Sequence, residues 1–285
     1  MFEELELEVA RQLLLDSVKK IDTERVFLHQ AHSRYLVQNV YAPMDVPGFS
    51  KSTMDGFALR ALDTEGASKE KPISIRIIGE VKAGDTEVIK LPRGCGVKIF
   101  TGAPLPGEAD VVVKKEEVLF QNEEIFLTYP LKKNKNIVFR GSDFKEGEKI
   151  FSDGERLSPY HLGVLAALGL KEVPVFIKPR VGLISTGSEL VSPDKTLAYG
   201  QIYNSNLFTL QALIEKWGGQ GQDFGIVKDQ CSAIRKVLYQ ALEHSDLVIT
   251  TGGVSVGDYD LVERVLREEK AEILFTKIGI KPGSH

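Results

Sequence analysis

Asp246-Leu-Val-Ile-Thr-Thr-Gly-Gly-Val-Ser-Val-Gly-Asp-Tyr-Asp260 is the stretch on which the fold class turns. A β-branched apolar run stops at Thr250 and Thr251, passes through Gly252, Gly253 and Gly257, and reaches Asp258 and Asp260 where a helical pattern opens over Leu261–Arg267. A strand entering a glycine-rich loop ahead of a helix presents backbone N–H groups to an anion. Carboxylates beside that loop suit a hard cation that bridges to phosphate oxygens. The stretch predicts a site for a phosphorylated ligand with Mg²⁺.

Working outward, Leu183-Ile-Ser-Thr-Gly-Ser-Glu189 ends an apolar run in the same Thr-Gly punctuation. Strands are predicted at Val181–Ser185, Phe224–Val227, Leu247–Thr250 and Ile273–Ile280, with helices over Asn206–Trp217, Ile234–Leu242 and Leu261–Arg267 between them. The first helix carries Leu207, Leu210, Leu213, Ile214 and Trp217 on one face, and Gly218-Gly219 closes it. Strands alternating with helices predict a parallel, doubly wound α/β domain from residue 179 onward. Ligands lie beyond the carboxyl ends of such strands, where the two Thr-Gly turns would supply hydroxyls and N–H groups beside Glu189 and Asp260. The plain alternative is that these glycines only serve αβ loops at positive φ. Asp229, just past the Phe224–Val227 strand, reads either as an N-cap or as a ligand residue on the same sheet edge.

Upstream the text differs. Val9, Leu13, Leu14, Val18 and Ile21 fall at helical spacing. Ile73–Ile78, Val97–Phe100, Asp110–Lys114 and Ile125–Thr128 are short β-rich runs between turns. Ser158-Pro159 through Gly169 has the N-cap, first-turn proline and trailing glycine of a helix. Asp55-Gly56, the Thr101–Asp110 turn segment and Arg140-Gly-Ser-Asp143, which pairs an arginine with an acid, are ordinary turn chemistry singly, and three such loops could line a cleft. Lys277 and Lys281 share one face of an extended segment, where two ammonium groups could hold an oxyanion or simply be solvated.

Composition bounds the function. The 285 residues carry 36 basic and 40 acidic side chains, net charge −4, without a basic block, which argues against nucleic acid as partner. Cys95 and Cys231 form neither a metal motif nor a disulfide framework, and the five histidines give no metal pattern and no Ser-His-acid set. No apolar run nears the roughly 18 residues of a membrane span, and the acidic start is unlike a secretory signal, so a soluble, cytoplasmic protein is expected.

Six blocks in order carry a resemblance: Ser52-Thr-Met-Asp-Gly-Phe-Ala58, Phe100-Thr-Gly-Ala-Pro-Leu-Pro106 with Ala109-Asp110, Arg140-Gly-Ser-Asp143, Ser185-Thr-Gly-Ser-Glu-Leu190, Gly200-Gln-Ile-Tyr-Asn-Ser-Asn206 and Thr251 through Asp260. Together they resemble the molybdopterin molybdenumtransferase family, the MoeA and gephyrin E-domain group. The resemblance implies molybdenum cofactor biosynthesis: Mg²⁺-dependent insertion of molybdate into adenylylated molybdopterin (molybdopterin-AMP) with release of AMP. It places the catalytic set on Asp55, Thr101, Asp143, Lys277 and Lys281. Ligand binding falls on Ser185, Thr186, Gly187, Glu189, Asp229, Thr251, Gly252, Gly253, Ser255 and Gly257, and Mg²⁺ on Asp260, Asp229 and Glu189.

The expected architecture is α/β multidomain. A discontinuous helical and linker domain covers 1–26, 45–52 and 142–178. A β-rich insertion covers 27–44 and 53–141, and the α/β molybdopterin-binding domain covers 179–285. A homodimer sharing its cleft between subunits is implied, with the adenylyltransferase and apo-molybdoenzymes as further partners and neither nucleic acid nor membrane. Where the family reads Lys-Pro-Gly-Lys-Pro and continues, this sequence reads Lys281-Pro-Gly-Ser-His285, so a truncated α/β domain without the family's C-terminal β-domain is expected. Two alternatives follow: a binding or scaffold fragment with impaired catalysis, and a molybdopterin adenylyltransferase, against which the 178 preceding residues and the Gly-Gly-Val-Ser-Val-Gly loop argue.

Overall fold

The computed structural model describes residues 5–87, 89–252 and 261–279. They fall into two compact units, one formed by Met1–Val37, Gly154–Leu162 and Lys171–His285, the other by Gln38–Asp153 and Gly163–Leu170. The described residues contain no helix long and apolar enough to cross a membrane.

The second unit is built on a six-stranded sheet of β1 (Gly56–Leu59), β2 (Ile73–Val81), β3 (Cys95–Ile99), β4 (Val111–Lys114), β5 (Leu119–Gln121) and β6 (Glu124–Leu127), in the order β4-β1-β3-β2-β6-β5. Only β2 and β3 pair in parallel. Alternation along each strand sends side chains to two cores. Phe57, Leu59, Val111 and Val113 join Ile75 and Ile125 on one face; Ala58, Val97, Ile99 and Val112 meet on the other. Burial on both faces explains why the Val111-Val112-Val113 run is apolar throughout.

Helix α2 (Pro159–Ala167) is closed as its sequence predicts. Gly169, at φ +74°, sends its N–H to Ala166 O (3.0 Å), and Leu170 N–H reaches Leu165 O (3.1 Å), the paired bonds of a Schellman stop. At the other end Ser158 N–H donates to His161 Nδ1 (3.0 Å), Ser158 Oγ touches the same nitrogen, and His161 Nε2 meets Glu155 Oε1 at 3.0 Å. The fold thus does align a serine, a histidine and an acid. It does so as a capping box, in which the third helical residue accepts the N-cap N–H.

The first unit holds a three-stranded parallel sheet of β7 (Arg180–Thr186), β8 (Gln220–Val227) and β9 (Leu247–Thr251), ordered β8-β7-β9. Helix α3 (Ser205–Lys216) packs Leu207 and Ile214 onto Val181 and Leu183. Helices α4 (Cys231–His244) and α5 (Leu261–Glu268) cover the opposite face, where Ile184 and Val227 meet Ile234, Leu238, Val262 and Val265. Helices on both faces of a parallel sheet make this the doubly wound α/β arrangement read from the sequence. A ribbon of Thr23–Phe27 with Glu172–Phe176 belongs to the same unit.

Three expectations are corrected. Trp217 is 62% exposed because α3 ends at Lys216 and Trp217 turns out as its C-cap. Helix α1 (Leu7–Ser17) stops short of Val18 and Ile21 and buries only Ala10, leaving Val9 and Leu14 half-exposed. Among the described residues Ile273–Gly279 adds no strand to the sheet. Its backbone pairs instead with Leu5, through Leu5 N–H to Lys277 O (3.0 Å) and Gly279 N–H to Leu5 O (2.8 Å).

Candidate functional site

The carboxyl ends of β7, β8 and β9 are tied to one another by the residues singled out from the sequence. Thr186, buried at the end of β7, gives its hydroxyl hydrogen to Thr251 O at the end of β9 (3.2 Å). Gly252 follows at φ +83° and lies so close that a Cβ there would sit 2.2 Å from Thr186 O. On the other side, Gly187 N–H reaches Val227 O (3.2 Å) at the end of β8. Ser188 N–H donates to Asp229 Oδ2 (2.9 Å), and Asp229 N–H returns to Ser188 Oγ (3.4 Å). The N-cap reading of Asp229 is therefore wrong: Gln230 occupies the cap of α4, and the Asp229 carboxylate joins two loops at the sheet edge.

Glu189 folds back over this turn, so that a Cβ on Gly187 would lie 2.8 Å from both its carboxylate oxygens. Ser185 accepts the Asn204 side-chain amide (2.8 Å), and both are buried. Ser185, Thr186, Gly187, Glu189, Asp229, Thr251 and Gly252 thus gather at one edge. Gly253, Ser255, Gly257, Asp260 and Lys281 lie outside the described residues. Lys277 is exposed, and its carbonyl is held by Leu5. Glu189 and Asp229 flank the same Gly187-Ser188 turn with oxygen donors of the kind Mg²⁺ selects. No cluster of three or more metal-ligating side chains forms among the described residues.

The second unit carries a separate group. Thr101 donates both its backbone N–H and its hydroxyl to Asp55 Oδ1, each at 2.9 Å. These two bonds, the backbone one first, hold the Asp55 carboxyl below the ordinary aspartate value; desolvation opposes them, and Lys115 and Lys98 add lesser help. Arg140 does not pair with Asp143, as the sequence suggested. Its Nε binds Asp45 Oδ2 (2.6 Å), while Glu146 N–H binds Asp45 Oδ1 (3.0 Å) and Gly141, at φ +69°, packs on the same side chain. Asp143 sits in the loop so fixed, with its N–H on Val46 O (2.9 Å). Asp45 is the residue that sequence reasoning missed: its partners lie 95 and 101 positions away.

A lowered folded pKa gives a definite sign. The Thr101 bonds stabilise the protein fully above the unfolded pKa of Asp55, and that contribution fades as pH falls through the folded value. Carbon-detected carboxyl titration is expected to place Asp55 below ordinary aspartates, and Thr101→Val, which keeps only the backbone donor, to move it upward. An unmoved Asp55 in that variant would remove the hydroxyl from the account.

Comparison with known proteins places the chain in a family. Residues 5–169 match the family described as the MoeA N-terminal region (domain I and II), and residues 182–285 match the one described as a probable molybdopterin binding domain. The chain is 36% identical over 275 residues to a molybdopterin molybdenumtransferase of Staphylococcus aureus, covering 96% of itself and 66% of that relative's length. A Haemophilus influenzae protein of the same name is 36% identical over 98% of this chain and 68% of its own. Among solved structures, a molybdopterin biosynthesis MoeA protein from Pyrococcus superposes with a TM-score of 0.86 at 35% identity, over 99% of this chain and 71% of that one. With the family's N-terminal region matching more than half of this chain and relatives aligned through both units, the chain belongs to the MoeA family of molybdopterin molybdenumtransferases.

Proposed function

We propose that this protein acts in molybdenum cofactor biosynthesis as a transferase that inserts molybdate into adenylylated molybdopterin and releases AMP. The observation that carries the reading is the linked edge of β7, β8 and β9, where Thr186, Gly252, Ser188 and Asp229 hold two Thr-Gly turns together. Such an edge binds phosphorylated ligands through backbone N–H groups and hydroxyls. Glu189 and Asp229, with Asp260, would hold Mg²⁺ through carboxylate oxygens. When bound, that ion offsets phosphoryl charge and polarises phosphorus. Molybdate is substrate, and Lys277 and Lys281 would attract it as point charges. Asp55, held by Thr101, stays ionised at neutral pH, and Asp143, on the loop fixed by Asp45, is the second carboxylate in the second unit's part of the machinery. A cytoplasmic homodimer with a cleft shared between subunits completes the proposal, with the adenylyltransferase and apo-molybdoenzymes as partners.

The test is AMP release from adenylylated molybdopterin by the purified chain, with Mg²⁺, with and without molybdate. Molybdate-dependent release is expected, and Asp229→Asn, which keeps an acceptor for Ser188 and loses the charge, is expected to lower it roughly tenfold to a hundredfold. Ligand binding by folded protein without any release would point instead to a binding or scaffold role.

A further inference from the structure

A cavity lies at the opposite end of the parallel sheet from the linked edge, beside Arg180 and Gln220, which face each other where β7 and β8 begin. The length of β7, Arg180–Thr186, separates the two places by roughly 20 Å. The cavity holds about 620 Å³, within the range of small-ligand clefts, and every residue around it belongs to the first unit. Val26 and Ile177 supply its apolar wall, and the rest of the lining is polar or charged.

Arg34 gives this cavity its chemistry. It is only 7% exposed, and a buried guanidinium is costly unless its donors are met. Nη2 is met: it donates to Glu24 Oε1 and to Phe176 O, each at 2.5 Å. Nε and Nη1 make no hydrogen bond among the described residues, and neither is sealed from solvent, so their donors open on the cavity that Arg34 lines. Two more cations share the lining. Arg180 grips Asp246 through Nη2 (3.0 Å) and Nε (3.3 Å). Lys178 is exposed and meets no carboxylate within salt-bridge distance among the described residues. Arg34, Lys178 and Arg180, set against Glu24 and Asp246, leave one positive charge over.

We infer that this cavity binds a small organic carboxylate, with its oxygens on the free donors of Arg34, Lys178 beside them, and its carbon skeleton against Val26 and Ile177. The lining answers an anion in two ways, through the directed donors of an arginine and the point charge of a lysine. One surplus charge suits a single carboxylate better than a phosphate dianion, whose second charge would stay unmatched. No residue of the linked edge takes part, so the site stands apart from the proposed function.

The test is titration of the full chain with butyrate, with butyramide as the neutral isostere and with inorganic phosphate, followed by NMR at the Arg34 side-chain Nε–H. Butyrate is expected to shift that signal saturably at millimolar concentration or below, butyramide to leave it in place, and phosphate to bind more weakly. Lys178→Ala alters an exposed side chain that holds no partner in the fold, and it is expected to weaken butyrate about fivefold, less so as salt is added. Val26 is buried, so the apolar wall is probed from the ligand side: acetate, with the shorter skeleton, should bind more weakly than butyrate. No saturable shift at millimolar butyrate, an equal response to butyramide, tighter binding of phosphate, or unchanged butyrate affinity in Lys178→Ala would each overturn the inference.

Discussion

Gly56→Ala is expected to destabilise the second unit more than any ordinary surface change, by on the order of 3 kcal/mol or more. The added methyl carbon would lie 1.9 Å from Val113 O and 2.9 Å from its carbonyl carbon. The obstructing atoms are backbone, so no rotamer change relieves the overlap. Gly56 faces Lys114 across the antiparallel β1–β4 pair and Ile99 across β1–β3, so the strand is held on both sides. To admit the methyl, β1 and β4 must part, and that opens both cores at Phe57, Ala58, Val112 and Val113. Thermal unfolding by far-UV circular dichroism should show a transition lowered by on the order of 10 °C. Trp217, the single tryptophan, lies in the other unit, and its fluorescence transition should move less. A melt within about 2 °C of the parent would mean β1 and β4 do not approach as described. The change also has a functional reading. Asp55 immediately precedes Gly56, and its carbonyl accepts Lys115 N–H (3.2 Å) while its carboxylate is held by Thr101. Displacing Gly56 should loosen that grip and let the Asp55 carboxyl rise toward its ordinary value.

Much of this was legible in the sequence where the signal is local. The run ending at Thr186, the run ending at Thr251 and the caps of α2 are each set by residues within a few positions, and each forms as predicted. The partner of Arg140 was not legible, because Asp143, the nearby acid, competes on paper with Asp45, which only the fold brings close. Asp229 has the residue type and place of an N-cap, yet a contact across two loops outweighs that local preference. The stripe of α1 has proper helical spacing, but spacing does not tell which neighbour covers it. The sequence around Ile273–Ile280 has strand propensity, and Leu5, from the far end of the chain, takes its hydrogen bonds.

The second large effect is expected at Gly252, and a matched control separates its two causes. Gly252 and Gly200 both stand at φ +83°, where a side chain is disfavoured by roughly 1–2 kcal/mol. They differ in surroundings. A Cβ on Gly200 would meet nothing within 4 Å, whereas one on Gly252 would lie 2.2 Å from Thr186 O and 3.1 Å from Thr186 Oγ1. Gly200→Ala therefore measures the dihedral cost alone, and Gly252→Ala adds a collision with main chain. That collision falls where Ser185 and Thr251 are paired between β7 and β9, and where the Thr186 hydroxyl reaches Thr251 O. Relief requires those strand ends to separate, which would carry Gly187, Ser188 and the Asp229 contact with them. Denaturant unfolding followed by Trp217 fluorescence should show Gly252→Ala destabilised by about 3 kcal/mol or more, against about 1 kcal/mol for Gly200→Ala. AMP release, where the parent shows it, should be lost in the first variant and kept in the second. Equal destabilisation of the two would mean that Gly252 is glycine for its dihedral only, and that the close approach to Thr186 does not hold the two Thr-Gly turns together.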